Sequence, residues 1–297
     1  MSDVASPLQI EPRKKARRLA LQRYFGKTIH NSLAIAGGLL LTVLVSMCLL
    51  APLIVSASPT ELDLANAKLP PSSEHLLGTD ALGRDVFARL LYGGRISMLI
   101  GVMGALGETI IGVIFGAIAG YFGGKIDTFF VKFQELLMTF PGLILTLIMV
   151  AAFGPGVWKL ILIFSITGWT TTFRLVRTEF LSIKTETFIE VGRSLGLPVF
   201  SLIFRHMLPN VMSPVVVALT INTAGYMIQE AGLSFLGLGV PPTTPTWGNM
   251  LNAAQSVEVL QNYWWMWLVP GITICLFVIA INLIGDALRD ILDPTTK

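Results

Sequence analysis

Side chains that do chemistry are sparse in this 297-residue sequence, and their spacing excludes more than it allows. His30, His75 and His206 are widely separated and lack the H-E-x-x-H spacing that sets two imidazoles on one helix face around a metal. Cys48 and Cys275 lie inside apolar runs without ligand spacing and read as packing residues. No G-x-S-x-G nucleophile turn occurs, and no paired acids inside an apolar run suggest a proton relay. The G-x-x-x-x-G-K-[ST] loop that cradles phosphates is also missing. The chain is therefore expected to be non-enzymatic, with no catalytic residue, metal site or cofactor of its own. Any ATP-driven process would need its nucleotide site on another chain. Glu108 reads as the one acid well inside an apolar run, which makes it a candidate for the substrate pathway or a carboxyl bonded to a neighbouring helix.

The segment from Thr185 to Asn210 is richer. Thr185 or Thr187 can cap a short helix with Glu in its first turn. Phe188, Val191 and Leu195 then fall on one face, with Glu190, Arg193 and Ser194 turned away from it. Gly196 and Pro198 end that helix, and a second turn leads through His206 and Leu208 to Pro209. A short amphipathic helix of this kind fits either a groove on a soluble partner or a lipid headgroup surface.

The elements that must position these residues are membrane spans. The sequence is 53% hydrophobic and 13% charged, about half the charge of a soluble domain. Runs able to span are Ser32 to Ala57, Ile96 to Phe122, Leu136 to Trp158, Met207 to Gln229 and Val259 to Gly285. A shorter sixth, Leu160 to Phe173, is flanked by Lys159 and Arg174. The first run is too long for a signal-peptide core and reads as an uncleaved anchor. With six helices and a cytoplasmic N-terminus, 16 of the 21 Lys and Arg fall on the cytoplasmic side. Seven of them precede the first span, between Arg13 and Lys27, a topology signal rather than a nucleic-acid arm.

The resulting layout is an all-α membrane protein with both ends cytoplasmic. A basic segment (1–31) precedes the first span (32–57) and an external loop (58–94), in which residues 84–91 suit a short interfacial helix. A core of five further spans (95–290) and a tail (291–297) follow. Within the core lie an inside loop at about 174–208 and an outside loop at about 232–263. Trp264, Trp265 and Trp267 after that loop suit an aromatic belt. Gly112, Gly116 and Gly120 form a flat strip for close helix approach.

Glu190, Gly196 six residues later and Leu208-Pro209 resemble the EAA loop of ABC-transporter permeases, with Val191 and Gly192 in place of the two alanines and His206 in place of the isoleucine. His75 to Asp80, Leu82 to Val86, Arg89 to Gly93, Arg205 to Asn210, Leu233 to Gly239, Trp247-Gly248, Gly285 to Asp290 and Asp293-Pro294 are similar to the dipeptide, oligopeptide and nickel group, most of all to its second permease. The resemblance implies half of a channel in a bacterial or archaeal cytoplasmic membrane, completed by a homologous second permease. Two ATPase subunits carrying ATP and Mg would dock on the EAA-type loop, and an extracytoplasmic binding protein would deliver a peptide. Nickel or glutathione is the alternative cargo. A secondary transporter or channel would instead favour broken inverted repeats, and a membrane enzyme a polar cluster at membrane depth.

Overall fold

The computed structural model describes residues 32–292. The basic N-terminal cluster, His30, Asp293-Pro294 and the C-terminal tail lie outside the described residues. Within them the chain is helical, with a single isolated bridge between Thr79 and Asp85 and no named strand. We number the helices α1 (Ser32–Leu49), α2 (Ala51–Ile54), α3 (Val86–Phe122), α4 (Gly124–Met138), α5 (Gly142–Phe153), α6 (Val157–Gly168), α7 (Thr170–Ile183), α8 (Thr187–Ser194), α9 (Val199–Phe235), α10 (Trp247–Leu251), α11 (Val257–Asn262) and α12 (Leu268–Leu292).

Four of these, α1, α3, α9 and the stretch Trp264–Leu292, are long and apolar enough to cross a membrane. The expected third span, Leu136 to Trp158, is not one rod. It breaks into α4 and α5, which meet at 85° and count as a fifth span only if taken together. Pro141 explains the break: it has no N–H for the helix ladder and restricts Phe140 before it. The expected fourth span is also redrawn. The apolar helix α6 has 12 residues, and only Trp169, with φ −56° and ψ −16°, separates it from α7.

Helix α3 is the axis of the bundle. Asp85 caps it by accepting the Ala88 N–H at 2.7 Å, and the chain leaves it at Gly123 with φ 66°. Residues 84–91, expected as a separate interfacial helix, are instead split between this cap and the opening turns of a 37-residue helix. At ~1.5 Å per residue α3 is ~55 Å long, well beyond the ~30 Å hydrocarbon core.

The glycine strip does what its spacing predicts. A Cβ on Gly104 would lie 3.2 Å from Phe164, on Gly112 2.7 Å from Thr172, on Gly116 2.8 Å from Val176 and on Gly120 2.5 Å from Phe180. Both sets of numbers rise together, so α3 runs parallel to α6 and α7 along the contact. Backbone approach of this kind replaces the hydrophobic drive that helices lack inside lipid with dispersion contact. On its other sides α3 meets α9, which packs against α12, and α12 packs against α1.

Candidate functional site

Ile189 of α8 has no exposed surface and joins a cluster with Ala117 and Tyr121 of α3, Val176 and Phe180 of α7, and Leu202, Ile203, Met207 and Val211 of α9. Gly192, one turn on, is also buried, and a Cβ there would lie 3.1 Å from both Leu197 and Leu202. The glycine that weakens this helix by about 1 kcal/mol relative to alanine thus faces the packed side, where space is shortest. The adjoining face carries Phe188, Val191 and Leu195, all exposed, Leu195 at 76%. Downstream of it Phe200 and Phe204 are also exposed, with ring centroids 4.3 Å apart. Glu190 and Arg193, turned away from that face, are also exposed.

The expected threonine cap of α8 is not formed. Glu186 occupies the cap position without a side-chain bond, and the Thr185 hydroxyl donates back to Ser182 O at 2.9 Å. At the other end Gly196 adopts φ +75°, with Gly196 N–H to Arg193 O at 3.0 Å and Leu197 N–H to Gly192 O at 3.1 Å. This pair of bonds is a Schellman termination, and a residue with a Cβ is strained there. Downstream, Leu202–Met207 forms a π-helical stretch ending just before Leu208 and Pro209, whose missing N–H prevents a regular ladder. His206 is partly buried in that stretch, and its carbonyl accepts the Asn210 amide.

Charged side chains fasten this end of the bundle. The Arg193 guanidinium and the Lys184 ammonium stand 5.8 Å and 6.0 Å from the ring centroid of Tyr121, at the end of α3. Asp127 of α4 accepts two hydrogen bonds from Arg177 of α7, the second at 2.7 Å.

Glu108 lies midway along α3 and has no exposed surface. Its carboxylate accepts the Thr109 hydroxyl at 3.1 Å, the Thr172 hydroxyl of α7 at 3.3 Å and the side-chain amide of Asn222 of α9. Three helices therefore share this carboxyl, which faces into the chain's own bundle. Glu108 and the Phe188–Pro209 residues are not brought together.

Glu108 is not the sole acid at depth. Glu230 is 1% exposed inside α9, which continues five residues beyond it to Phe235. The expected span stopped at Gln229, at the first charge, and so missed it. Its only sequence signal was Ser234 at i+4, whose hydroxyl bonds it at 2.8 Å.

The opposite end of α3 is covered by the two long connections. Asp80 pairs with Arg84 at 2.7 Å and lies 3.6 Å from the buried Arg89. His75 Nδ1 meets the other carboxylate of the motif, Asp85, at 2.9 Å. Gly78 and Gly83 have positive φ, and a Cβ on Gly83 would fall 1.7 Å from Asp63 O. Trp265, expected in an interfacial belt, is instead 6% exposed and donates its Nε1–H to Thr79 O at 3.1 Å. Trp264 beside it remains half exposed. Lys68 and Glu258 join the two connections at 2.7 Å; that bond raises the Lys68 pKa and lowers that of Glu258. The expected inside and outside loops thus occupy opposite ends of one helix.

Residues 112–297 match the family model described as binding-protein-dependent transport system inner membrane component. Residues 21–71 match the N-terminal transmembrane domain of oligopeptide transport permease C. A Brucella suis protein with a peptide-permease name is 41% identical over 277 residues, covering 93% of this chain and 92% of its own. The dipeptide transport system permease protein of Bacillus subtilis is 38% identical over 90% of this chain and 83% of its own. The oligopeptide transport system permease protein of the same organism is 36% identical over 90% and 87%. With α8 exposed at one end of the bundle and the paired long connections closing the other, this chain belongs to the family of binding-protein-dependent transport system inner membrane components.

Proposed function

We propose that this chain is one permease subunit of an ATP-driven importer of di- or oligopeptides in the cytoplasmic membrane. It forms half of the channel beside a homologous second permease and performs no catalysis itself. Six passes with both ends in the cytoplasm fit the charge distribution, if α4 with α5 and α6 with α7 each make one crossing. ATP and Mg then sit on two ATPase subunits, and an extracytoplasmic binding protein delivers the peptide. The peptide assignment follows the names of the relatives, which are dipeptide and oligopeptide permeases.

One observation carries the mechanism: α8 is apolar and exposed on one face while Ile189 on the adjoining face is locked among α3, α7 and α9. A partner groove that takes Phe188, Val191 and Leu195 grips a lever whose other side is packed as tightly as a protein core. When ATP draws the two ATPases together, α8 moves with its groove. The motion passes as a rigid body to three spanning helices, and alternating access is a change in which end of the bundle is open. The Schellman turn at Gly196 fixes the angle at which the chain leaves α8 for α9. Glu190 and Arg193 are exposed on the side turned away from the apolar face, where Arg193 reaches back to Tyr121 of α3.

The test is uptake of labelled dipeptides, oligopeptides and nickel in a deletion strain, with and without this chain, alongside purification of the complex from detergent. Restored peptide uptake with co-purifying ATPases is expected. Restored nickel uptake alone would reassign the cargo, and transport by the chain without ATPases would overturn the reading.

A further inference from the structure

Around Glu230, three hydroxyls each connect the carboxylate to one backbone amide of residues 240–249. Ser97 Oγ of α3 donates to Glu230 Oε2 at 3.1 Å and accepts the Trp247 N–H at 3.1 Å. Ser234 Oγ donates to Oε1 at 2.8 Å and accepts the Val240 N–H at 3.3 Å. The Thr246 hydroxyl also hydrogen-bonds the carboxyl and accepts the Asn249 N–H at 3.0 Å. A hydroxyl has one proton to give. With a backbone N–H pointing at each oxygen, the three protons converge on the carboxylate, and no basic side chain takes part.

The surrounding packing leaves no room for another arrangement. A Cβ on Gly248 would lie 2.7 Å from Ala231 Cα and 3.1 Å from Glu230 Oε1, and one on Gly239 2.0 Å from Ser234 Oγ. Trp247 is fully buried and donates its indole N–H to Leu90 O at 2.8 Å. The Asn249 side chain holds the turn itself, donating to the carbonyls of Val240, Pro241 and Thr244 at 3.0 to 3.2 Å. The segment is thus a preformed unit, held to α3 by the indole bond to Leu90 O and tied to α3 and α9 together through one carboxylate.

We infer that Glu230 is a positioning residue that fastens residues 240–249 across α3 and α9 through the Ser97, Ser234 and Thr246 hydroxyls, and that transport depends on this fastening. Only the dependence of transport rests on the importer reading; the fastening does not. Replacing the carboxylate by an amide puts an N–H₂ against hydroxyls that already face donors, so at least one relay loses its acceptor.

The experiment is residue-resolved hydrogen exchange on the full chain in its assembled complex in nanodiscs, with peptide uptake measured in parallel. In Glu230→Gln the amides of Val240, Trp247 and Asn249 should exchange about tenfold faster together, those of residues 202–215 should keep wild-type rates, and uptake should fall severalfold. Ser97→Ala should release the Trp247 amide alone and Thr246→Val the Asn249 amide alone, and both smaller changes serve if Glu230→Gln does not assemble. Wild-type exchange at all three amides in Glu230→Gln, or equal acceleration of all three in Ser97→Ala, would overturn the fastening. Released amides with unchanged uptake would overturn its role in transport. Absence of peptide uptake by the wild-type complex would instead count against the importer reading, leaving the exchange test intact.

Discussion

Arg193 of α8 holds its guanidinium carbon 5.8 Å from the ring centroid of Tyr121, the penultimate residue of α3. The same tyrosine belongs to the cluster that buries Ile189, so α8 grips α3 by a packed face and a charged edge at once. Removing the packed contact should matter more. Ile189→Ala creates a cavity worth about 2–5 kcal/mol, whereas loss of an Arg193–Tyr121 contact at a wet edge is worth about 0.5–1 kcal/mol. ATP hydrolysed per peptide transported should therefore rise steeply in Ile189→Ala and little in Arg193→Gln. Equal coupling ratios in the two variants would mean that Ile189 does not transmit the motion.

Gly196 separates backbone strain from crowding. Its φ is +75° and a Cβ there would meet nothing within 4 Å, so any penalty comes from the backbone alone. Asn tolerates the left-handed region and a β-branched residue does not. Gly196→Asn should keep most transport, Gly196→Val should lose most of it, and Glu190→Lys should uncouple hydrolysis from uptake while the protein still inserts. Similar transport in the Asn and Val variants would remove the turn from the mechanism.

The glycine strip gives a paired prediction on stability. Gly116→Ala places a methyl 2.9 Å from Phe173 O and 2.8 Å from Val176 Cβ, a backbone clash that costs about 1–3 kcal/mol. Gly225 of α9 has open space at the same test, and alanine there should stabilise the helix by roughly 0.5–1 kcal/mol. Thermal unfolding in detergent should move down for the first and hold or rise for the second. A Gly116→Ala protein as stable as wild type would deny the close approach of α3 and α7.

Much of this architecture was legible in the sequence because glycine spacing, the Phe188-Val191-Leu195 stripe and the long apolar runs are local patterns. What escaped was set by partners distant in sequence. Trp265 reads as a belt residue until Thr79, 186 residues away, accepts its indole proton. Glu230 reads as the end of a span because a charge is costly in lipid, and the distant Ser97 and Thr246 join the local Ser234 to offset that cost. Ile189 was hidden between more conspicuous neighbours, although Ile189 and Gly192 are spaced as one buried face. The break at Pro141 was readable from the residue itself and was overridden by the apolar run around it.

Glu108 tests whether the shared carboxyl is a three-helix joint. Glu108→Leu strands the Asn222 amide and the Thr172 hydroxyl without an acceptor, at about 1–3 kcal/mol for each buried group. Glu108→Gln retains an acceptor and should lose less. The double variant Glu108→Leu with Asn222→Leu should recover part of the loss, because both ends of the bond are then apolar. Strict additivity in this thermal-unfolding cycle would show that the two residues do not interact.

The decisive measurement is the amount of ATPase subunit that co-purifies with the chain after Leu195→Asp and Phe200→Asp. Both side chains are largely exposed, at 76% and 72%, so the variant should insert and fold as wild type does. If the apolar face of α8 and the exposed Phe200 beyond it are where the ATPases dock, the double variant should purify with its partner permease and without ATPases. Full recovery of the ATPases with the double variant would contradict the proposed coupling surface.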